Sequence, residues 1–311
     1  MTERTAKLML LDSASLYFRA FYGVKEEVVS PDGIPVNAVR GFLDSIARLV
    51  SDHSPTHLVA CWDDDWRPAF RTDAIPSYKA HRVENAALNE EEVPDTLGPQ
   101  VPVIADVLAA LGIVRIGSPG YEADDVIGAL TVHASMPVDV VTGDRDLFQL
   151  VDDDRGVRII YTAKGGVGRP DLVTEGFVEA RYGIPGRSYA DFAALRGDPS
   201  DGLPGVPGVG EKTAAQLITT YGSLAAVIAA AEAGDTAVRS SVHAKILAAT
   251  DYLAVAPRVV NVAVDAPVPA HDATLHAEPD DPEALTYLSE RWGLTSPVGR
   301  LLKALARNEA T

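Results

Sequence analysis

One junction recurs in this chain and restricts its fold more than any other feature: a short apolar run ends and an acid follows. Lys7 to Leu11 (KLMLL) leads to Asp12, His57 to Trp62 (HLVACW) to Asp63 through Asp65, and Val138 to Thr142 (VDVVT) to Gly143-Asp144-Arg145-Asp146. These runs, with Val157 to Tyr161 (VRIIY), read as short buried strands. Helical patterns such as Val36 to Val50 and Val101 to Leu111 lie between them. Strand–helix alternation of this kind implies an α/β fold, a parallel sheet with helices on both faces. Sites in such sheets form at the carboxyl ends of strands, so acids far apart in sequence are expected on one edge.

The 311 residues fit two domains at about 150 residues each. The alternation is expected to span residues 1–175, and a helical, Gly/Pro-punctuated unit residues 176–311. That second unit contains a Pro- and acid-rich connection near Asp265 to Pro282 and a last helix ending near Ala306. Apolar residues at 47% and charged residues at 23% support packed cores. No apolar run reaches the roughly 18 residues needed to span a bilayer, and the N-terminus carries no signal-peptide pattern. Cys61, the single cysteine, cannot form an internal disulfide and reads as a buried strand residue. A monomeric cytoplasmic protein without membrane partners is the expectation.

Five acidic clusters carry the chemistry: Asp12, Asp63, Glu122-Ala-Asp124-Asp125, Asp144-Arg-Asp146 and Asp198-Pro-Ser-Asp201. On a helix starting near Glu122, residues 122 and 125 share a face. A lone Asp after a strand is usually a cap or turn former. Nine carboxylates together would repel one another and raise several pKa values unless hard cations joined them. All-oxygen ligation suits Mg²⁺ or Mn²⁺, and two such ions about 4 Å apart can hydrolyse a phosphodiester.

Two further features point to a nucleic-acid backbone. Pro204-Gly205-Val206-Pro207-Gly208-Val209-Gly210 opens a helix at Glu211, where bare N–H groups suit phosphate and Lys212 and Thr213 add a charge and a hydroxyl. Its spacing differs from a Walker A loop by one residue, and no strand precedes it. The segment Arg67 to Arg82 holds four basic residues against one Asp, with Phe70 and Tyr78 interleaved, a composition suited to phosphate contact and base stacking. A second stretch, Arg155 to Arg187, carries six basic and three acidic residues. The whole chain has 44 acids against 27 Lys plus Arg, a net charge of -17. That excludes an ordinary basic coat protein but leaves room for an enzyme with a localised DNA surface and salt-sensitive affinity.

In order, Leu11-Asp-Ser-Ala-Ser15, Phe70 through Arg82, Tyr121-Glu-Ala-Asp-Asp-Val-Ile-Gly128, Thr142-Gly-Asp-Arg-Asp-Leu147 and Gly197 through Ala214 resemble the bacterial 5′-nucleases of the flap endonuclease family, akin to the N-terminal domain of DNA polymerase I. The likeness runs from about residue 6 to 305. It implies a PIN-like core with a helical arch, a helix–three-turn–helix module, and metal-dependent cleavage of 5′ flaps and nicked or recessed 5′ ends. Through it Asp12, Asp63, Glu122 and Asp124 would surround one ion. Asp125, Asp144, Asp146 and Asp198 would surround a second, with Asp201 at its edge or at a further ion. Lys79 and Arg82 would contact the scissile phosphate from the arch, Tyr78 would stack on a base, and Arg71 would bind DNA. Gly208, Gly210, Lys212 and Thr213 would grip duplex backbone, with K⁺ in the hairpin. Trp62-Asp63-Asp64-Asp65 departs from the family's Phe-Asp and makes Asp64 a substitute candidate. A stand-alone relative, with no polymerase domain, is expected. A branched-DNA-binding module with weak catalysis and a PIN-type ribonuclease are the rival readings.

Overall fold

Alternate side chains along each central strand serve two different cores, which is why these runs read as continuously apolar. Leu8, Leu10, Val59, Cys61, Val138 and Val140 face one core. Met9, Leu11, Leu58, Ala60 and Val141 face the other. The structure, a computed structural model, describes residues 5–85, 90–237 and 239–310.

The chain begins with β1 (Leu8–Asp12), α1 (Ser13–Gly23), α2 (Asn37–His53), β2 (His57–Cys61) and α3 (Ala69–Ala74), followed by β3 (Val83–Asn85), β4 (Glu90–Glu91), α4 (Gln100–Leu111), β5 (Val114–Ile116), α5 (Ala123–His133) and β6 (Val138–Thr142). Next come β7 (Val157–Tyr161), β8 (Asp171–Val173), α6 (Glu175–Tyr182), α7 (Tyr189–Arg196), α8 (Glu211–Tyr221), α9 (Leu224–Ala233) and α10 (Ser240–Ala248). Helices α11 (Thr250–Val255), α12 (Pro257–Val260), α13 (Pro282–Trp292) and α14 (Thr295–Glu309) complete it. The main sheet has the order β5-β2-β1-β6-β7-β8, parallel throughout except for the antiparallel β7–β8 edge. Asp12 lies level with Cys61, and Leu11 level with Val141. The chain therefore leaves β2, β1 and β6 along a single edge, and Asp63, Asp12 and Asp144 emerge there.

Two expectations change. Residues 176–311 are not one unit: the chain returns to the sheet at residues 273–275, where Leu58 N–H donates to Ala273 O and Leu275 N–H to Thr56 O. Helices α13 and α14 then fill the second core with Leu285, Leu294, Val298 and Leu301. Complete burial of Leu294 and Leu301, worth about 2 kcal/mol each, holds them there rather than on the helical module. The arch, expected to be helical, is among the described residues a 3-10 turn at Ala80–Arg82 and the β3–β4 ribbon. Lys79 starts that turn in the left-handed region, at φ 47°, which no α-helix accommodates. Residues 86–89 of the arch lie outside the described residues. Cys61 is buried in β2 as expected. Among the described residues no single helix is long and apolar enough to cross a membrane.

Candidate active site

Each strand-end acid is held by backbone and hydroxyl groups from its neighbours. Asp12 accepts from Ser15 N–H at 3.0 Å, capping α1, and from the Thr142 hydroxyl at 2.7 Å. That hydroxyl accepts from Asp144 N–H, while Ser15 Oγ accepts from Gly143 N–H, both at 2.8 Å, so the turns after β1 and β6 are stitched together. Asp63 accepts from Ala123 N–H at 2.8 Å, satisfying an open donor at the start of α5 from a different strand. Glu122 and Asp125 close a reciprocal capping box on the same helix end. These contacts produce a cleft of about 260 Å³ lined by Asp12, Ser15, Phe18, Asp63, Trp66, Lys79, Arg82, Glu91, Glu122, Asp124 and Asp144. Glu91, Phe18 and Trp66 escaped the sequence reading. The run Glu90-Glu91-Glu92 was the one signal for the first of these.

A second acidic group adjoins the first. Asp198 accepts from Arg196 at 3.2 Å, Arg145 at 3.4 Å and Ser200 N–H at 3.0 Å. Asp201 accepts from Arg82 at 2.8 Å. Asp146 Oδ1 is buried with no hydrogen-bond partner among the described residues. The arch bridges the two groups. Lys79 Nζ lies 2.6 Å from Glu122 Oε2, its backbone N–H donates to Asp201 O, and Ser77 Oγ donates to Gly202 O.

Four sequence expectations fail here. Asp125 is fully buried and turned away from the cleft: both its oxygens are taken by the Arg71 guanidinium, at 2.6 and 2.8 Å. They also accept from the N–H groups of Ala263 and Glu122. Arg71 and the Ala263 N–H hold it there, and from that position it also closes the capping box on the Glu122 backbone. Arg71, 3% exposed and committed to that pair, presents nothing to DNA. Tyr78 is also buried, and its hydroxyl donates to Glu122 at 2.9 Å, so its ring does not stack on a base. Asp64 is exposed and packs against Gly117, outside the cleft lining.

Crowding of buried acids shows in their proton affinities. Burial pushes Asp12 up to about 7 against the hydrogen bonds of Thr142 and Ser15, with Asp63 and Asp144 adding repulsion. Burial followed by Asp12 and Asp144 raises Asp124, and burial followed by Asp144, Asp201 and Asp198 raises Asp146. Burial also raises Glu122, opposed by Lys79 and Arg71. Lys79 is raised well above the usual lysine value, because its acidic neighbours, Glu122 first, outweigh the burial that lowers it. Hard divalent cations fit this donor set: the donors are all oxygen, they repel one another, and Asp146 Oδ1 has no hydrogen-bond partner among the described residues. Among the described residues no three acids stand close enough to hold an ion unaided. Mg²⁺ characteristically keeps several waters between itself and its protein ligands, which spans such gaps.

The hairpin lies between α7 and α8. Gly205 has φ +64°, and a Cβ there would stand 2.6 Å from the Arg196 carbonyl, so the tight return of the chain requires glycine. Val206 and Val209 anchor the loop in the core. Gly210 begins α8 with no side-chain cap, Lys212 is exposed beside that helix end, and Thr213 is half-buried. In the hairpin, where K⁺ was expected, the carbonyl of Gly208 accepts from Lys245 Nζ at 2.9 Å.

Two family descriptions match the chain: the 5′-3′ exonuclease N-terminal resolvase-like domain over residues 7–183, and the 5′-3′ exonuclease C-terminal SAM fold over residues 184–283. A 5′-3′ exonuclease of Streptomyces coelicolor is 58% identical over 300 residues, covering 96% of this chain and 99% of that protein. One from Mycobacterium tuberculosis is 50% identical, covering 96% and 97%. The fold is shared with the bacteriophage T5 D15 flap endonuclease, solved with DNA and metal ions, at a TM-score of 0.61 and 16% identity, covering 98% of this chain and 100% of that one.

Proposed function

The chain belongs to the 5′-3′ exonuclease family of DNA-cleaving hydrolases, and from that premise we propose a structure-specific nuclease that acts at 5′ flaps and at nicked or recessed 5′ ends, using Mg²⁺ or Mn²⁺. One observation carries this reading: Asp12, Asp63, Glu122, Asp124 and Asp144 converge from five sequence positions on one cleft beneath Lys79 and Arg82. In this reading those acids hold one ion and part of a second, which Asp146, Asp198 and Asp201 complete. Bound there, the ions would supply Lewis acidity at the phosphodiester and a water primed for attack.

The remaining roles belong to the chain itself. Lys79 and Arg82 exchange their acidic partners for the scissile phosphate and stabilise charge as it develops. Gly208, Gly210, Lys212 and Thr213 receive duplex backbone at the open end of α8. K⁺ held by backbone carbonyls of the hairpin is part of this reading, with the Gly208 carbonyl already bonded to the Lys245 ammonium, and comparing duplex binding in K⁺ and in Li⁺ at equal ionic strength tests it. The protein is read as a cytoplasmic monomer at branched or nicked DNA. The test is a labelled 5′-flap duplex with Mg²⁺ or Mn²⁺, beside single-stranded RNA and a metal-free control. Metal-dependent release of the flap is expected. Binding without cleavage would favour a branched-DNA-binding module, and preference for the RNA a PIN-type ribonuclease.

A further inference from the structure

Arg71 and Asp125 are charged, fully buried and absent from the cleft lining, yet they adjoin it through Glu122. Arg71 donates to both oxygens of Asp125 and lies 3.3 Å from Glu122 Oε1, while Asp125 accepts from Glu122 N–H at 3.1 Å. Tyr78, packed beneath the guanidinium at 5.8 Å, donates to the same Glu122 carboxylate. The pair is closed from behind by residues 259–263. Arg71 Nε donates to Val259 O at 3.1 Å, and Asp125 Oδ1 accepts from Ala263 N–H at 2.7 Å. Gln149 bonds the same strap at Val260 O and Val262 N–H. Val262 seats against α5 where Gly128 leaves room: a Cβ there would meet its methyl at 2.8 Å.

We propose that Arg71 and Asp125 are positioning residues: clamped by the 259–263 strap, they fix both the backbone and the carboxylate of Glu122 in the orientation that receives a divalent ion. The inference rests on the function proposed above, in which Glu122 helps hold that ion. Outer partners of this kind orient a ligand without touching the metal, and their loss typically lowers metal affinity about 10- to 100-fold. The strap also places the end of the helical module against the residues that set the acidic cleft.

The test compares wild type with the double variant Arg71→Met/Asp125→Asn, which leaves no unpaired buried charge and keeps an acceptor for Ala263 N–H. Ca²⁺ binding without DNA is measured by calorimetry, with the half-activating Mg²⁺ concentration and flap-duplex affinity in Ca²⁺ alongside. Ca²⁺ affinity about 10-fold lower and a half-activating Mg²⁺ about 10-fold higher, with duplex affinity within 2-fold, are expected. Metal dependence within 2-fold of wild type would overturn the proposal and leave the pair a purely structural element. If the double variant does not fold, Arg71→Lys, which keeps the charge and loses the two-pronged geometry, must show the same shift in smaller degree, and wild-type metal dependence in it would overturn the proposal equally. Wild type that neither binds Ca²⁺ nor cleaves in Mg²⁺ would overturn the function itself, a result distinct from a normal wild type with an unaltered variant.

Discussion

In the proposed function the acidic cleft and the 204–213 hairpin use opposite materials for work on the same polymer. The cleft gathers side-chain charge against its own repulsion: Asp12, Asp124 and Asp146 are all raised by burial and then by neighbouring acids, Asp144 among them each time, and Lys79 and Arg82 occupy acids meanwhile. The hairpin presents backbone, with glycines at positive φ, buried valines and a helix end without a side-chain cap. One region is built to need a cation, the other to accept an anion. Chemistry should therefore fail when a cleft acid is neutralised, and grip should merely weaken when the hairpin is altered.

The largest effect should come from Asp12→Asn or Asp144→Asn. Each removes a carboxylate worth several kcal/mol at the ions, so turnover on a 5′ flap should fall about 10³-fold or more while binding in Ca²⁺ persists. A tenth of wild-type turnover in both variants would move the chemistry out of the cleft. Next in size is Lys79→Ala. Single-turnover cleavage should drop about 10²-fold, with Ca²⁺-supported affinity nearly unchanged, because the group acts on charge that develops only in the transition state. A normal single-turnover rate would reduce Lys79 to a partner of Glu122.

A third experiment probes the cleft without DNA. Asp12 titrates at about 7 in the folded chain against its ordinary 3.8, so the folded state keeps a proton that the unfolded state releases between those values. Metal-free protein should lose stability as pH climbs through that window and level off above it. Asp124 and Asp146, also raised, act in the same direction, and His53, lowered by burial, acts against them. Saturating Mg²⁺ should flatten the fall in melting temperature by several degrees. A metal-free melting temperature that rises across the window would contradict the crowding of the cleft.

The smallest effect belongs to the hairpin. Lys212→Ala should lower duplex affinity modestly and reduce its logarithmic salt slope by about one unit, with turnover at saturating substrate little changed. Collapse of saturating turnover at unaltered affinity would erase the distinction between the two regions.

Which residues belong to which region was unevenly legible. Val138–Thr142 and Val157–Tyr161 occur as strands at the bounds read from their apolar runs, because a strand buried on both faces announces itself locally. Acids directly after strands were equally readable, since parallel topology carries them to one edge. The glycine hairpin was readable because positive φ and close approach demand glycine whatever surrounds it.

Direction was different. In sequence, Asp124 and Asp125 are two adjacent acids, and on helical spacing alone Asp125 shares a face with Glu122. Their fates separate only when α5 meets Asp63 just beyond β2, Arg71 from α3 and the strap at 259–263, which turn Asp125 inward and leave Asp124 at the cleft. Arg71 and Tyr78 sit in a basic, aromatic stretch that composition assigns to DNA, and tertiary contacts bury both. The return of α13 and α14 to the second core, against the sheet, was hidden for the same reason: an apolar helix face does not name its partner. Sequence determined the kinds of group and the edge where they collect, because those follow from periodicity and chain direction. Tertiary structure decided which groups face the substrate, because a buried charge is stable only beside its counter-charge, and that partner lies far along the chain.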